Sequence, residues 1–209
     1  MIASNLFRHL RLSVTRPART VFADAGVLFI AAGSSQVDAL SIAPAAFALA
    51  DPLLLATPAG IDAETLTAIT EWWESHPNGR VVLVGGTTVL SPVVDQQLFA
   101  LGVPEAQVTR LAGENRYATS ALAVEWIKTN VTGFNSGSVG LASGKSPIDS
   151  LTSAPFLAGN SLRSPLLLVP PCGTIPDVTK TALLSTTKQI VIGGPAAVCE
   201  ALALALKQR

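Results

Sequence analysis

Side chains that could bind an anion are concentrated in one short segment of this sequence. Arg110 and Arg116 lie within residues 110–119, which we call the junction segment. A planar guanidinium binds phosphate or carboxylate through two parallel hydrogen bonds. The same arginines could instead form internal ion pairs with a carboxylate such as Glu114 or Asp149, or with the carboxyl end of a helix. The sequence leaves the ligand-binding and the internal interpretation equally open.

Four further candidates lie at the starts of two predicted helices. Lys145, Ser146 and Asp149 follow an apolar strand and open one helix, and Asp38 opens an earlier one. Free backbone N–H groups at a helix N-terminus attract anions, so these residues join the arginines as candidates for ligand binding. Ser35 and Ser146 each stand three residues before one of the aspartates, which is the spacing of a capping box. Helix capping is therefore the alternative interpretation.

The sequence shows no set of residues that is typical of catalysis. The Gly-x-Ser-x-Gly motif of hydrolases is missing, and His9 and His76 have no matched partner. The two cysteines are not spaced as zinc ligands and lie far from both histidines in the sequence. We therefore expect no catalytic residue, no metal and no cofactor.

Cys172 and Cys199 each come shortly after a predicted strand. If those strands are neighbours in a parallel sheet, the two thiols can meet and form a disulfide. A disulfide would indicate an oxidising compartment. Two separate buried thiols are the alternative.

The composition favours a well-packed protein with little surface charge. Hydrophobic residues make up 49% of the chain and charged residues 13%, and 14 basic residues balance 14 acidic ones. Nucleic-acid binding requires a basic face, so we expect no nucleic-acid partner. No apolar run reaches the length of a transmembrane helix, so none is expected. Residues 1–20 are basic, and residues 1–25 are predicted to form an N-terminal arm or an eroded copy of the junction segment.

Short apolar strands alternate with helical segments along the chain. This order predicts an α/β fold with parallel sheets, because each strand is followed by a helix that can cross back to the next strand. Apolar strands of this kind are typically covered on both faces. The predicted strands are 27–32, 53–56, 80–84, 108–112, 139–142, 166–169 and 189–192, and the predicted helices are 37–50, 62–75, 92–101, 116–129, 147–160, 176–185 and 196–207.

The chain contains an internal repeat. Residues 33–44 match residues 144–155 at a constant offset of 111, including the two aspartates and the two prolines that end the match. Two Gly-Gly pairs, Gly85-Gly86 and Gly193-Gly194, match at an offset of 108. They could expose backbone amides to an anion or simply form tight turns. The repeat predicts two units, residues 26–107 and residues 108–209.

The tandem pattern resembles the cell-wall-binding repeat 2 family of bacterial surface modules. The resemblance extends from about residue 26 to residue 206 and rests on motifs that occur together in one order. These are Arg110-Leu-Ala-Gly113-x-x-Arg116-Tyr117-x-Thr119, Ala142-Ser-Gly144, Ile148-Asp149-Ser150-Leu151, Ala154-Pro155, Pro165-Leu-Leu-Leu and Ile192-Gly193-Gly194.

The resemblance implies both a fold and a function. The family is built from Rossmann/Toprim-like α/β units, usually three in a triangle. Its members are non-catalytic modules that hold secreted proteins on the Gram-positive wall by binding an anionic polymer. We therefore expect a secreted protein of the cell wall or cell envelope. Because only two repeats are present, self-association or another envelope protein could supply the missing faces.

Two other functions are compatible with the same residues. The first is an envelope assembly subunit that uses this fold for contacts with other proteins. The apolar helix that ends the chain favours it, as does the number of repeats. The second is an α/β enzyme acting on phosphorylated sugars, for which the sequence supplies no catalytic motif.

Overall fold

The protein is described by a computed structural model that covers residues 26–134, 137–159 and 162–207. The predicted arm at residues 1–25 lies outside these ranges. Within them, strands and helices alternate in the order β1 (Val27–Ala32), α1 (Gln36–Leu49), β2 (Leu53–Ala56), α2 (Ala63–Ser75), β3 (Arg80–Val84), α3 (Pro92–Ala100), β4 (Val108–Leu111), α4 (Arg116–Asn130), β5 (Ser138–Ser143), α5 (Ile148–Ala158), β6 (Leu166–Val169), α6 (Asp177–Leu183), β7 (Lys188–Val191) and α7 (Glu200–Lys207).

The strands form two sheets that repeat one arrangement. The first sheet has the order β2-β1-β3-β4 and the second has the order β6-β5-β7, and all their pairings are parallel. This confirms the predicted α/β fold with two tandem units. Strand β4, which follows the predicted unit boundary, pairs with β3 and so extends the first sheet.

Helix α4 lies between the two sheets and packs on both. Its Trp126 ring meets the ring of Phe29 edge to face, with the centroids 5.7 Å apart, in the core of the first sheet. Its Val124 belongs to the core of the second sheet. The buried Ser120 hydroxyl donates to the carbonyl of Leu166 and accepts from the N–H of Leu168. Ser120 thus provides hydrogen-bond partners for two backbone groups at the open edge of β6, where no neighbouring strand supplies them.

The junction segment turns β4 directly into α4. The side chain of Asn115 accepts hydrogen bonds from the N–H groups of Tyr117 and Ala118 and so caps the N-terminus of α4. Gly113 is required by close packing, because a Cβ there would lie 2.4 Å from the Cβ of Ala118.

The two predicted capping boxes are wrong. The side chain of Ser35 makes no cap hydrogen bond and instead donates to the carboxylate of Asp38. In the second unit the N-cap of α5 is Pro147, so Ser146 lies one position too early to cap the helix. Both helices therefore begin without a side chain on their free N–H groups.

The last helix begins later than the sequence pattern indicates. Residues 195–197 form a turn, Ala197 and Val198 both donate to the carbonyl of Gly194, and α7 begins at Glu200. Immediately before α7, Cys199 is joined to Cys172 by a disulfide. The disulfide ties the loop after β6 to the start of α7.

Candidate functional site

Three helices, α1, α4 and α5, begin close together after the carboxyl ends of β1, β4 and β5. Arg116 is the first residue of α4, and its Nη1 donates to the carbonyl of Gly144, 2.6 Å away, in the loop that leads into α5. The charge of Arg116 also acts on Asp38, in the first turn of α1. The N-termini of α1, α4 and α5 therefore meet around one exposed guanidinium. Helix N-termini and a cation together create a positive potential that favours an anion.

Asp38 is a buried carboxyl group beside this guanidinium. Its Oδ2 accepts a hydrogen bond from the hydroxyl of Ser35 at 3.3 Å, whereas its buried Oδ1 has no partner among the described residues. Burial raises the pKa of Asp38 above its usual value, and the hydrogen bond from Ser35 and the charge of Arg116 both oppose that rise. An unsatisfied buried acceptor costs free energy unless a donor reaches it, so this oxygen lacks a hydrogen bond that a polar group would supply.

Arg110, the other arginine of the junction segment, is engaged inside the first unit. Its Nη1 donates to the carbonyls of Gly85 and Leu90, both at 3.1 Å, and its Nη2 forms an ion pair with Asp95 of α3. The carboxylate that pairs with Arg110 is Asp95, and not Glu114 or Asp149, which were the expected partners. Arg110 therefore fixes the Gly-Gly turn of the first unit against α3.

The loop before α5 supplies further polar groups to the same surface. The ring of Tyr117 packs so closely on Gly144 that a Cβ there would lie 2.7 Å from its Cε1. Lys145 is exposed and Ser146 is half-buried, and neither side chain has an ion pair or hydrogen bond among the contacts of the described residues. The ammonium of Lys145 can thus reach an anion bound at the start of α5.

The two aspartates hold matching positions in their units. A Cβ on Gly85 would lie 3.6 Å from Oδ2 of Asp38, and a Cβ on Gly193 would lie 2.5 Å from Oδ2 of Asp149. Both glycines have a positive φ, 134° and 100°, so each turn needs glycine for its backbone as well. The repeat predicted this equivalence, but it gave no sign that the charge of Arg116 would act on Asp38.

Of the predicted ligand-binding residues, the structure brings Arg116, Asp38 and the loop that carries Lys145 and Ser146 to one junction. Sequence reasoning missed two contacts that define it, the carbonyl of Gly144 as the acceptor of Arg116 and the hydroxyl of Ser35 as a donor to Asp38. The first joins residues 28 positions apart, which sequence spacing does not reveal, and the second replaces the cap hydrogen bond that was expected within one turn. Among the described residues no three His, Cys, Asp or Glu side chains are grouped as metal ligands.

The fold and the junction together define a class of protein, a tandem α/β domain whose repeated units meet at a polar surface between helix N-termini. The chain belongs to the family described as cell wall binding domain 2 (CWB2), whose sequence model matches residues 2–95 and residues 110–203. The first match begins before the described part of the chain. This family membership confirms the predicted resemblance.

Individual relatives agree with the family. The chain is 34% identical over 104 residues to the N-acetylmuramoyl-L-alanine amidase LytC of Bacillus subtilis (strain 168), a match that covers 50% of this chain and 20% of the amidase. Two solved structures share the fold at 21% identity over 87% of this chain. Cwp8 from Clostridium difficile has a TM-score of 0.68 with 29% of its length covered, and Cwp6 from the same organism has 0.63 with 28% covered.

The chain spans a fifth of the length of the amidase and under a third of each solved structure. As a cell-wall-binding domain it is placed at the cell wall or cell envelope. None of the helices in the described ranges is long and apolar enough to cross a membrane.

Proposed function

We propose that the chain is a non-catalytic module that binds an anionic cell-wall polymer at the junction of α1, α4 and α5. The observation that carries the proposal is the exposed guanidinium of Arg116 among three helix N-termini. Two of these helices, α1 and α5, begin without a side-chain cap, so their backbone N–H groups are available to a ligand. No cofactor takes part.

The polymer is proposed to carry hydroxyl groups as well as negative charge. Arg116 and Lys145 would bind the anionic groups, and a hydroxyl would donate to the unsatisfied Oδ1 of Asp38. A purely anionic ligand would be repelled by this carboxylate, whereas a sugar or polyol phosphate would satisfy both halves of the site. Ser146, at the same helix start, would add a further hydroxyl contact.

Arg110 and Asp149 were both predicted to contact the ligand, and we propose a different role for each. The donors of Arg110 are used by Asp95 and two carbonyls, so its proposed contribution is to hold the Gly-Gly turn in place. Asp149 lies against Gly193 at the turn of the second unit and would contact polymer that extends beyond the junction.

The disulfide between Cys172 and Cys199 supports a secreted protein. Disulfides persist in oxidising compartments outside the cytosol. The proposed partner therefore lies outside the membrane, where wall polymers are found.

A pull-down on deproteinised Gram-positive walls tests the function. We expect the purified chain to sediment with walls at low salt and to be released as salt rises, because screening weakens contacts between exposed charges. Walls from which phosphate polymers have been removed form a second arm. Binding that survives this treatment would assign the site to carboxylates of the wall. A chain that stays in the supernatant at low salt would refute polymer binding.

A matched pair of variants locates the site. Lys145→Ala and Lys188→Ala each remove one exposed ammonium, but only Lys145 lies at the junction, whereas Lys188 begins β7. We expect Lys145→Ala to weaken wall binding by a factor of about 3 to 10, equivalent to about 1 kcal/mol, and Lys188→Ala to leave it unchanged. Equal losses would mean that net charge, not the junction, controls binding.

An assembly subunit is the second candidate. Large apolar side chains are exposed on α5. They favour a protein contact in addition to the polymer site.

A further inference from the structure

Helices α1 and α5 are equivalent in the repeat but differ in what covers them. Val37 and Leu40 of α1 are 8% and 5% exposed, whereas their counterparts at an offset of 111, Ile148 and Leu151 of α5, are 72% and 67% exposed. A third pair behaves alike, since Ala45 is buried and its counterpart, residue 156, is an exposed phenylalanine. The second unit therefore displays in solvent the face that the first unit buries.

The cover on α1 comes from the second unit. Helix α1 contacts α4, α5 and β6, and Leu40 packs in one apolar cluster with Ala142, Leu157 and Leu166. Leu151, the counterpart of Leu40, is not part of this cluster. The two units therefore do not pack through the same face of the repeat. The interface is heterologous, in that two different surfaces of the same repeat meet.

The complementary half of this interface is open on the first unit. Strand β6, which covers α1, is fully buried, but its counterpart β2 is not, and Leu55 of β2 is half exposed where Leu168 of β6 is buried. Phe47 is likewise exposed at the position where the second unit has the buried Ala158. A heterologous contact that is used once leaves one unpaired half at each end of the pair.

We propose that the α5 face formed by Ile148, Leu151 and Phe156 binds a second copy of this chain. The second copy contributes the surface of β2 and α1 that contains Leu55 and Phe47. This surface corresponds to the surface of β6 and α5 that packs on α1 within one chain. The contact repeats between chains an interface that the fold already makes. An exposed apolar surface of this kind is rare on a monomer and typical of a binding site. The association requires no polymer, so it is independent of the proposed wall binding.

Sedimentation velocity of the full chain in the absence of wall material tests the proposal. We expect wild type to associate as its concentration rises, and Leu151→Asp to raise the apparent dissociation constant by about tenfold or more, because a carboxylate would be buried in an apolar contact. Leu184→Asp is the matched control, since Leu184 is also exposed but lies at the end of α6. A wild type that remains monomeric would overturn the proposal, as would equal association of wild type and Leu151→Asp.

Cross-linking defines which surfaces meet. A chain carrying Leu151→Cys is mixed with one carrying Leu55→Cys and treated with a short bismaleimide, which leaves the native disulfide untouched. We expect a mixed dimer from this pair and none when Leu184→Cys replaces Leu151→Cys. A dimer that forms from Leu151→Cys alone, and not from the mixture, would show that α5 pairs with itself and would contradict the head-to-tail arrangement.

Discussion

The two units carry the same motif in opposite surroundings. Asp38 in the first turn of α1 is buried and is affected by the charge of Arg116, whereas Asp149 in the first turn of α5 is only half-buried. The difference arises because α4 and α5 cover α1, whereas the outer face of α5 has no such cover within the described residues. A repeated sequence thus yields a repeated fold, whereas the surroundings of each aspartate depend on the elements that pack against its unit.

The units also differ in the link that holds the loop after their second strand, which is a pair of hydrogen bonds in the first unit and a disulfide in the second. In the first unit the side-chain amide of Gln97 accepts from the N–H of Ile61 and donates to its carbonyl, at 2.8 and 2.9 Å. In the second unit the disulfide between Cys172 and Cys199 joins the corresponding loop and helix. The unit with less cover is therefore the one with a covalent link.

Reducing that disulfide should produce the largest effect. The two cysteines are separated by 27 residues, and closing a loop of this length lowers the entropy of the unfolded chain by an amount worth about 3–4 kcal/mol. Denaturant unfolding with and without a reductant measures the loss. Gln97→Ala is the counterpart in the first unit and should cost about 1–2 kcal/mol. A smaller loss on reduction than for Gln97→Ala would contradict the comparison.

The second prediction compares equivalent leucines. Leu40→Ala should lower the free energy of unfolding by about 2–4 kcal/mol, because it opens a cavity between the units. Leu151→Ala should change it by less than about 0.5 kcal/mol, because its side chain is already in water. The measurement is thermal or denaturant unfolding at low protein concentration. Similar losses for both variants would show that α5 is covered in solution even at high dilution.

The third prediction concerns the start of the central strand in each unit. In the first unit the carboxylate of Asp51 accepts a hydrogen bond from the N–H of Val27 at 3.0 Å. At the equivalent place in the second unit, the hydroxyls of Ser138 and Ser164 are hydrogen-bonded to each other at 2.6 Å. Burial raises the pKa of Asp51 to about 6, although this hydrogen bond and the charge of His76 lower it. Only the first unit therefore carries an ionisable side chain at this position, because the serines of the second unit do not ionise.

The sign of the pH effect follows from the raised pKa. Between pH 4 and 6 the folded chain holds a proton on Asp51 that the unfolded chain has released, so the free energy of unfolding falls as the pH rises and levels off above 6. The fall from this group is at most about 3 kcal/mol. Asp51→Asn keeps an acceptor for Val27 and should make the profile flatter, while the raised pKa of Asp38 still contributes a slope of the same sign. An unchanged profile would refute the assignment.

Most of the fold could be predicted from the sequence, because apolar strands and the repeat both report on it. The start of α7 was missed even though the repeat contained it, since adding the offset of 108 to Pro92 gives Glu200. The capping boxes failed for a different reason. Ser35 lies close enough to a buried carboxylate to donate to it, and that preference depends on tertiary packing.

The candidate site was predictable in composition but not in arrangement. The sequence identified both arginines of the junction segment and treated them alike. The structure separates them, because Arg110 meets Asp95 fifteen residues earlier in the chain while Arg116 reaches forward to the carbonyl of Gly144. Arg110 lies on β4 and Arg116 begins α4, and no spacing rule encodes which way each side chain points.

Wall affinity of Arg116→Ala tests the central claim most directly. The side chain is exposed and makes one hydrogen bond to a backbone carbonyl, so its removal should lower the free energy of unfolding by no more than about 1 kcal/mol. Arg110→Ala, which breaks an ion pair and two hydrogen bonds, should cost about 1–3 kcal/mol. In the wall pull-down at low salt, we predict that Arg116→Ala binds at least about tenfold more weakly than wild type. Wild-type affinity in a folded Arg116→Ala variant would contradict the proposal that the junction of α1, α4 and α5 holds the polymer.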